Sequence, residues 1–432
     1  MVDESTATRS CDVLVIGGGP AGSTIAALLA EKGWDVAVLE KDRHPRFHIG
    51  ESLLPQNNKL FERLGVLDEV RHVGIVKNGA EFNSPAHADA RTFYFADAID
   101  KSVPSAFQVH RADLDQILFR NAGRKGAAVF EETKAVEVTL LPGGAQVLAH
   151  SPGGTQRWQA RFLVDASGRD TLMASSLRTK HANRRHASAA LYAHFEGAQR
   201  RTGRDAGNIT IYWFEHGWFW FIPLQRGVSS IGAVCWPYYL KTRRGTLEQF
   251  FDETIALCPP LEERLREARR VTPVTATGNY SYQATRTHGP NCLMVGDAFA
   301  FVDPVFSSGV YLAMAGAFAG ADAVDTCLRN PAAAPQAVRA YERRVRSGLR
   351  LFSWFIYRVT KPAMRDLLMG PRDMLGVVGG VISLLAGDIY DSRGVRWRIR
   401  LFQLIYYLRS LATPGQSAEA VRRRRENIRP IA

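Results

Sequence analysis

An α/β fold is predicted from the sequence: a parallel sheet near the N-terminus, an inserted antiparallel sheet, and a helical C-terminal region. Three observations carry this. First, the β-branched run Asp12–Ile16 leads into Gly17-Gly18-Gly19-Pro20-Ala21-Gly22, an Ala/Leu-rich stretch Ser23–Lys32 stopped by Gly33, and a second apolar run Asp35–Leu39. That order is strand, turn, helix, strand. Second, from about Ala187 to Trp236 short aromatic and β-branched runs follow one another, as in an antiparallel sheet. Third, from Val338 to Ser410 arginines are interleaved with aromatics in a helical pattern.

The remaining elements follow in chain order. Apolar runs predict strands at Ala127–Phe130, Ala135–Leu140, Ala145–His150 and Phe162–Asp165. The aromatic middle predicts strands at Leu191–Phe195, Ile209–Phe214, Trp218–Ile222 and Ser229–Val234. Cys292–Val295 is a further strand, closed by Gly296-Asp297-Ala298, and a helix is expected from Val310 to Leu328. Pro414-Gly415-Gln416-Ser417 marks a linker to a tail holding the run Arg422–Arg425. The expected organisation is a module over residues 1–330, in which segments 10–186 and 285–330 flank a sheet-rich substrate region 187–284. A helical region 331–412 covers the substrate side, and a basic tail 413–432 follows.

A chain of 432 residues with 46% hydrophobic and 22% charged content is ordinary for a globular protein that buries a large core. The net charge of +13 suits an acidic partner such as nucleic acid, an anionic membrane surface or an acidic protein. No nucleic-acid motif accompanies it, so no nucleic-acid partner is expected. Cys11, Cys235, Cys258, Cys292 and Cys327 are odd in number, widely spaced and without a C-x-x-C pair. Neither a disulfide framework nor a metal site is indicated, and a reducing, cytoplasmic setting is expected. The longest apolar stretch, Met374–Ala386, is broken by glycines and is too short for a transmembrane segment.

The Gly17-x-Gly19-x-x-Gly22 spacing has a physical meaning. Gly17 permits the turn after the strand, Gly19 lets the backbone approach a pyrophosphate, and Gly22 lets helix and strand pack closely. The helix N-terminus then meets the phosphate charge. Glu40, at the end of the second strand, can accept from a ribose hydroxyl. NAD and FAD share this fingerprint. Val164-Asp165-Ala166-Ser167-Gly168-Arg169, Gly296-Asp297-Ala298, and Arg111 within Gln108–Asp115 favour FAD. With them, the span Asp12–Leu328 resembles the flavoprotein monooxygenase superfamily of the aromatic-hydroxylase type. The resemblance implies a Rossmann-type FAD-binding domain. Its cofactor contacts would be Gly17, Gly19, Ala21, Gly22, Glu40, Arg46, Glu51, Ser52, Arg111, Asp165, Asp297 and Pro304. Asp165 reads equally well as a carboxylate that only closes a turn.

Three segments narrow the resemblance. Gly217-Trp218-Phe219-Trp220-Phe221-Ile222-Pro223 resembles the W-x-W-x-I-P signature of flavin-dependent halogenases. Phe47–Pro55, containing Gly50-Glu51-Ser52-Leu53-Leu54-Pro55, and Ile75–Phe82, containing Lys77, are similar to two further segments of that family. Strand alternation places Trp218, Trp220 and Ile222 on one face, which by itself is also an ordinary hydrophobic sheet face. The resemblance implies that reduced FAD, supplied by a separate flavin reductase, and O2 oxidise chloride or bromide to hypohalous acid. Lys77 would then activate the oxidant, and Trp218 and Trp220 would hold the substrate away from the flavin. A lysine is suited to this when burial lowers its pKa, whereas most lysines are solvated surface charges. Ser308-Gly309 would hold the halide, or Ser308 simply caps the following helix. Within that resemblance, a chain of 432 residues is closer to the phenol and pyrrole halogenases than to the longer tryptophan halogenases, which implies a phenolic or pyrrolic substrate, free or tethered to an acyl carrier protein. The competing readings are a single-component FAD/NAD(P)H aromatic hydroxylase or prenyl reductase, and a non-catalytic flavin-binding partner of a biosynthetic complex.

Overall fold

A computed structural model describes residues 8–183, 186, 188–278, 281–371, 373–390 and 392–412. The expected linker at Pro414 and the tail with Arg422–Arg425 lie outside the described residues.

The local pattern at the N-terminus folds as its spacing dictates. Strand Thr8–Ile16 runs into helix Pro20–Glu31 and returns as strand Val36–Leu39, parallel to the first. Gly17 sits at φ +103°, and a Cβ on it would lie 2.3 Å from the Ala166 carbonyl oxygen. At Gly22 a Cβ would lie 1.9 Å from the Gly17 carbonyl oxygen, so only glycine lets this helix start so close to the strand. The parallel sheet grows outward from this unit. Its order is Cys292–Met294, Gly154–Asp165, Thr8–Ile16, Val36–Leu39, Ala128–Phe130, with Gly144–Ser151 and Lys134–Leu141 added antiparallel. Each strand expected on this side of the molecule is present.

The second large sheet contains Ala189–Glu196, Val228–Cys235, Gly217–Pro223 and Ile209–Phe214, joined antiparallel. Its edge departs from expectation. Gly79–Asn83 pairs parallel with Ile209–Phe214, and Arg91–Tyr94 pairs with Gly79–Asn83. The sheet therefore takes two strands from the segment assigned to the nucleotide side.

Every residue of Gly217–Pro223 is buried, on both faces. Phe219 and Phe221 pack outward against Phe250, Phe251 and Leu261 of helices Leu247–Ala256 and Pro259–Leu265. Trp218, Trp220 and Ile222 pack inward. The C-terminal helices Ala334–Ile356, Pro362–Met369, Val377–Ala386 and Arg393–Ala412 contribute Phe352, Phe355, Met364, Leu384 and Phe402 to that same inner cluster.

Candidate active site

A cavity of about 620 Å³ opens between the two sheets, within the range of small-molecule and cofactor sites. One end is the nucleotide unit: Gly17, Gly19, Ala21 and Glu40 line it, with the helix N-terminus facing inward. Glu40 accepts from Gly18 N at 2.7 Å and from Asp42 N at 2.9 Å, so its carboxylate is fixed by backbone at the strand end. Beyond it stand two arginines that share one buried carboxylate. Asp115 accepts from Arg46 at 2.9 Å and bidentately from Arg111 at 2.8 and 2.9 Å. Burial opposes the charge on Asp115, but Arg111 and then Arg46 hold its carboxyl below the usual range. Both arginines line the cavity, oriented by this pairing. His48 beside them is pushed down to about 4, first by burial and then by Arg111.

The opposite wall is made by Trp218, Trp220 and Ile222. The two indole centroids are 5.9 Å apart at 50°, and Trp220 Nε1 donates to Ser230 Oγ at 3.1 Å. Between the ends, Glu51 and Ser52 line the cavity. Glu51 Oε1 is 2.8 Å from His194 Nε2, while its Oε2 has no partner among the described residues. Ser52 Oγ accepts from Lys77 Nζ at 2.9 Å, and Leu53 O accepts from the same ammonium at 3.0 Å. Lys77 is 1% exposed, and burial alone lowers it to about 7. It does not itself line the cavity. Its hydroxyl partner does.

The third wall comes from the segments after Cys292–Met294. Asp297, Pro304, Ser307 and Gly309 line the cavity. Burial pushes the Asp297 carboxyl up to about 6. Ser308 precedes helix Gly309–Arg329 but makes no capping hydrogen bond. Its hydroxyl is buried and unpartnered among the described residues, so local capping does not account for it.

Asp165 takes the second of its two expected roles. Its carboxylate accepts from Ser167 N at 2.9 Å and Met173 N at 2.8 Å, it is fully buried, and it does not line the cavity. It closes the turn after its strand. Gly22 likewise acts by packing and does not line the cavity. Two residues escaped the sequence reading. Asp115 was legible as an Arg–Asp pair four apart on a helix. His194, the partner of Glu51, had no signal, because the two are brought together only by the second sheet.

A glycine turn without room for side chains, a helix N-terminus, a fixed carboxylate and two oriented arginines along one cavity fit a bound dinucleotide. The fold and this site define an FAD-binding oxidoreductase. The FAD binding domain family model matches residues 10–347. A flavin-dependent halogenase of Penicillium aethiopicum is 34% identical over 80% of this chain and 70% of its own. The 1H-pyrrole-2-carbonyl-[peptidyl-carrier protein] chlorinase of Pseudomonas fluorescens is 29% identical over 88% and 90%. The structure of the myxobacterial chondrochloren halogenase CndH superposes with a TM-score of 0.78 at 31% identity, covering 90% of this chain and 99% of that one. The chain belongs to the flavin-dependent halogenases, enzymes that use FAD. No helix among the described residues is long and apolar enough to cross a membrane.

Proposed function

We propose that the protein installs chlorine or bromine on an electron-rich aromatic ring, phenolic or pyrrolic, with reduced FAD delivered by a separate flavin reductase. The observation that carries the reading is Lys77, a fully buried lysine lowered to about 7, one hydroxyl away from a cavity whose far wall is two tryptophans. Bound reduced FAD, with O2 and halide, supplies hypohalous acid. Gly17, Gly19, Ala21, Glu40, Arg46, Arg111, Asp297 and Pro304 hold the cofactor, and Ser308 with Gly309 holds the halide. The unpartnered Ser308 hydroxyl supports that role. Lys77 acts through a proton it can give or keep near neutral pH, and Ser52 orients it. Glu51, paired with His194, holds the segment that carries Ser52. Trp218 and Trp220 exclude the ring from the flavin, so that oxygen is not transferred directly. The module 1–330 carries this chemistry and 331–412 closes its substrate side. The P. fluorescens relative acts, by its name, on a pyrrole carried by a peptidyl carrier protein, which brings tethered as well as free rings into scope.

The test supplies a flavin reductase, NADH, O2 and bromide or chloride with phenol and pyrrole substrates. A halide-dependent mass gain is expected, and products carrying only added oxygen would sink the reading. Lys77→Ala is expected to retain FAD and lose halogenation by about 100-fold or more. Unchanged turnover removes Lys77 from the mechanism.

A further inference from the structure

Helix Arg393–Ala412 is apolar on two opposite sides. Val395, Ile399, Phe402 and Tyr406 point inward and are buried in the inner cluster. On the other side Trp397, Leu404, Leu408 and Leu411 recur at spacings of seven, four and three residues. Helical geometry sets them in one stripe about 21 Å long. They are between 44% and 76% exposed. A helix that is apolar all round is ordinarily buried all round. This one has a covered side and a bare one.

The bare side extends beyond the helix. Met374 and Leu375, just before helix Val377–Ala386, are exposed as well. Arg398 ties them to the stripe. Its guanidinium lies 4.5 Å from the Trp397 ring centroid, and its Nε lies 3.0 Å from where a Cβ on Gly376 would stand. The loop and the stripe therefore meet at the Trp397 end. Of the thirteen large hydrophobic side chains exposed among the described residues, seven fall between Met374 and Leu411. Scattered singly they would need no explanation, but gathered in one place they mark a contact surface. Arg393, Arg396 and Arg400 stand exposed beside the first half of the stripe, and no carboxylate among the described residues pairs with them.

We propose that this surface seats the protein on an anionic lipid bilayer. The helix lies in the plane of the headgroups, and Trp397 with the three leucines enters the acyl boundary. Charge and composition select the occupant. A stripe of Trp and Leu edged by arginines matches an interfacial helix, in which the apolar row inserts and the guanidiniums meet lipid phosphates. The net charge of +13 adds attraction to an anionic surface. A second copy fits less well. The helix holds five arginines and no acidic residue, so two such faces would bring guanidiniums together with no carboxylate to offset them. Residues 413–432 fit poorly too, since they offer only Val421, Ile428 and Ile431 as larger aliphatic side chains and carry five further arginines. None of the residues of this surface lines the FAD cavity, so the proposal stands apart from the proposed reaction.

The experiment uses the full-length, FAD-loaded protein and two kinds of vesicle, phosphatidylcholine alone and phosphatidylcholine mixed equally with phosphatidylglycerol. Wild type is compared with Leu404→Gln/Leu408→Gln/Leu411→Gln and with Arg393→Gln/Arg396→Gln/Arg400→Gln. All six positions are exposed or edge the stripe, and glutamine keeps helix propensity. FAD content and melting temperature check that each variant is folded. In cosedimentation wild type is expected to bind the phosphatidylglycerol vesicles and not those of phosphatidylcholine alone, with each triple variant at least tenfold weaker. Lipids brominated on their acyl chains should quench part of the tryptophan emission of wild type, and Trp397→Phe should lose that quenching, which separates insertion from adsorption by charge alone. Absence of binding to the anionic vesicles overturns the proposal, as does binding that either triple variant retains in full. It is also overturned if wild type is a dimer in solution that the leucine variant turns into a monomer, since the stripe then belongs to a second copy. Binding of an acidic carrier protein that the leucine variant loses, without binding to vesicles, overturns it in favour of a protein partner.

Discussion

At Lys77 a single buried ammonium sets both stability and chemistry. It has two acceptors, Ser52 Oγ and Leu53 O, and no carboxylate partner among the described residues, and burial is the cause of its lowered pKa of about 7. In the unfolded chain the same lysine titrates near 10.4. The folded protein therefore resists protonation that the unfolded chain accepts. The resulting cost is full below about pH 7, shrinks as pH rises, and vanishes above about pH 10.5. Its size is on the order of 5 kcal/mol at pH 6. Lys77→Met, similar in length and without charge, is expected to melt at higher temperature than wild type at pH 6 and to lose most of that advantage by pH 9. Melting curves at the two pH values check this, and a gain independent of pH would mean that Lys77 holds its proton as tightly in the folded as in the unfolded chain, so that burial does not lower it. The neighbouring segments made this lysine legible as a candidate. That no counter-ion meets it among the described residues was not legible, because its surroundings depend on strand Gly74–Lys77 pairing with Ala106–Val109 and on the Phe95 ring 5.2 Å from its Nζ.

The tryptophan strand shows how far pattern reading reaches within one element. Alternation along Gly217–Pro223 predicts that Trp218, Trp220 and Ile222 share a face, and they do. Alternation is silent about the other face, because its covering helices Leu247–Ala256 and Pro259–Leu265 come later in the chain, and it is silent about register. Register is what makes room for the wall. Trp220 pairs with Gly232, and a Cβ on Gly232 would lie 2.2 Å from the Trp220 ring. The glycine is thus the space that the indole occupies. Gly232→Ala must push a buried ring held by the Trp220–Ser230 hydrogen bond. It should cost about 1–3 kcal/mol by overpacking. Thermal unfolding of the FAD-loaded protein measures this, and a variant as stable as wild type would mean that the ring has another place to go. Asp165 marks the limit of the same kind of reasoning. An acidic residue at a strand end looks alike in sequence whether it meets a ribose or two backbone N–H groups, and only the turn after it decides.

The molecule as a whole is less divisible than its sequence suggests. The nucleotide unit is legible because strand, turn, helix and strand are contiguous and each obeys a local rule. Pairing of Gly79–Asn83 with Ile209–Phe214 follows no local rule and stitches the first hundred residues into the second sheet. The C-terminal helices look like a cover, yet Phe352, Phe355, Leu384 and Phe402 lie in the same buried cluster as Phe82, Trp213 and Trp218. Ser383 Oγ also accepts from Ile99 N at 2.8 Å, tying helix Val377–Ala386 to the loop after Phe95. Separating these helices would uncover the inner side of the tryptophan wall, so they should not unfold first. Scanning calorimetry of the intact, FAD-loaded chain is therefore expected to show one transition, with calorimetric and van't Hoff enthalpies in agreement. An additional, earlier transition that abolishes protection of helices Val377–Ala386 and Arg393–Ala412 from hydrogen exchange, while the amides of Gly217–Pro223 stay protected, would show instead that the cover opens on its own.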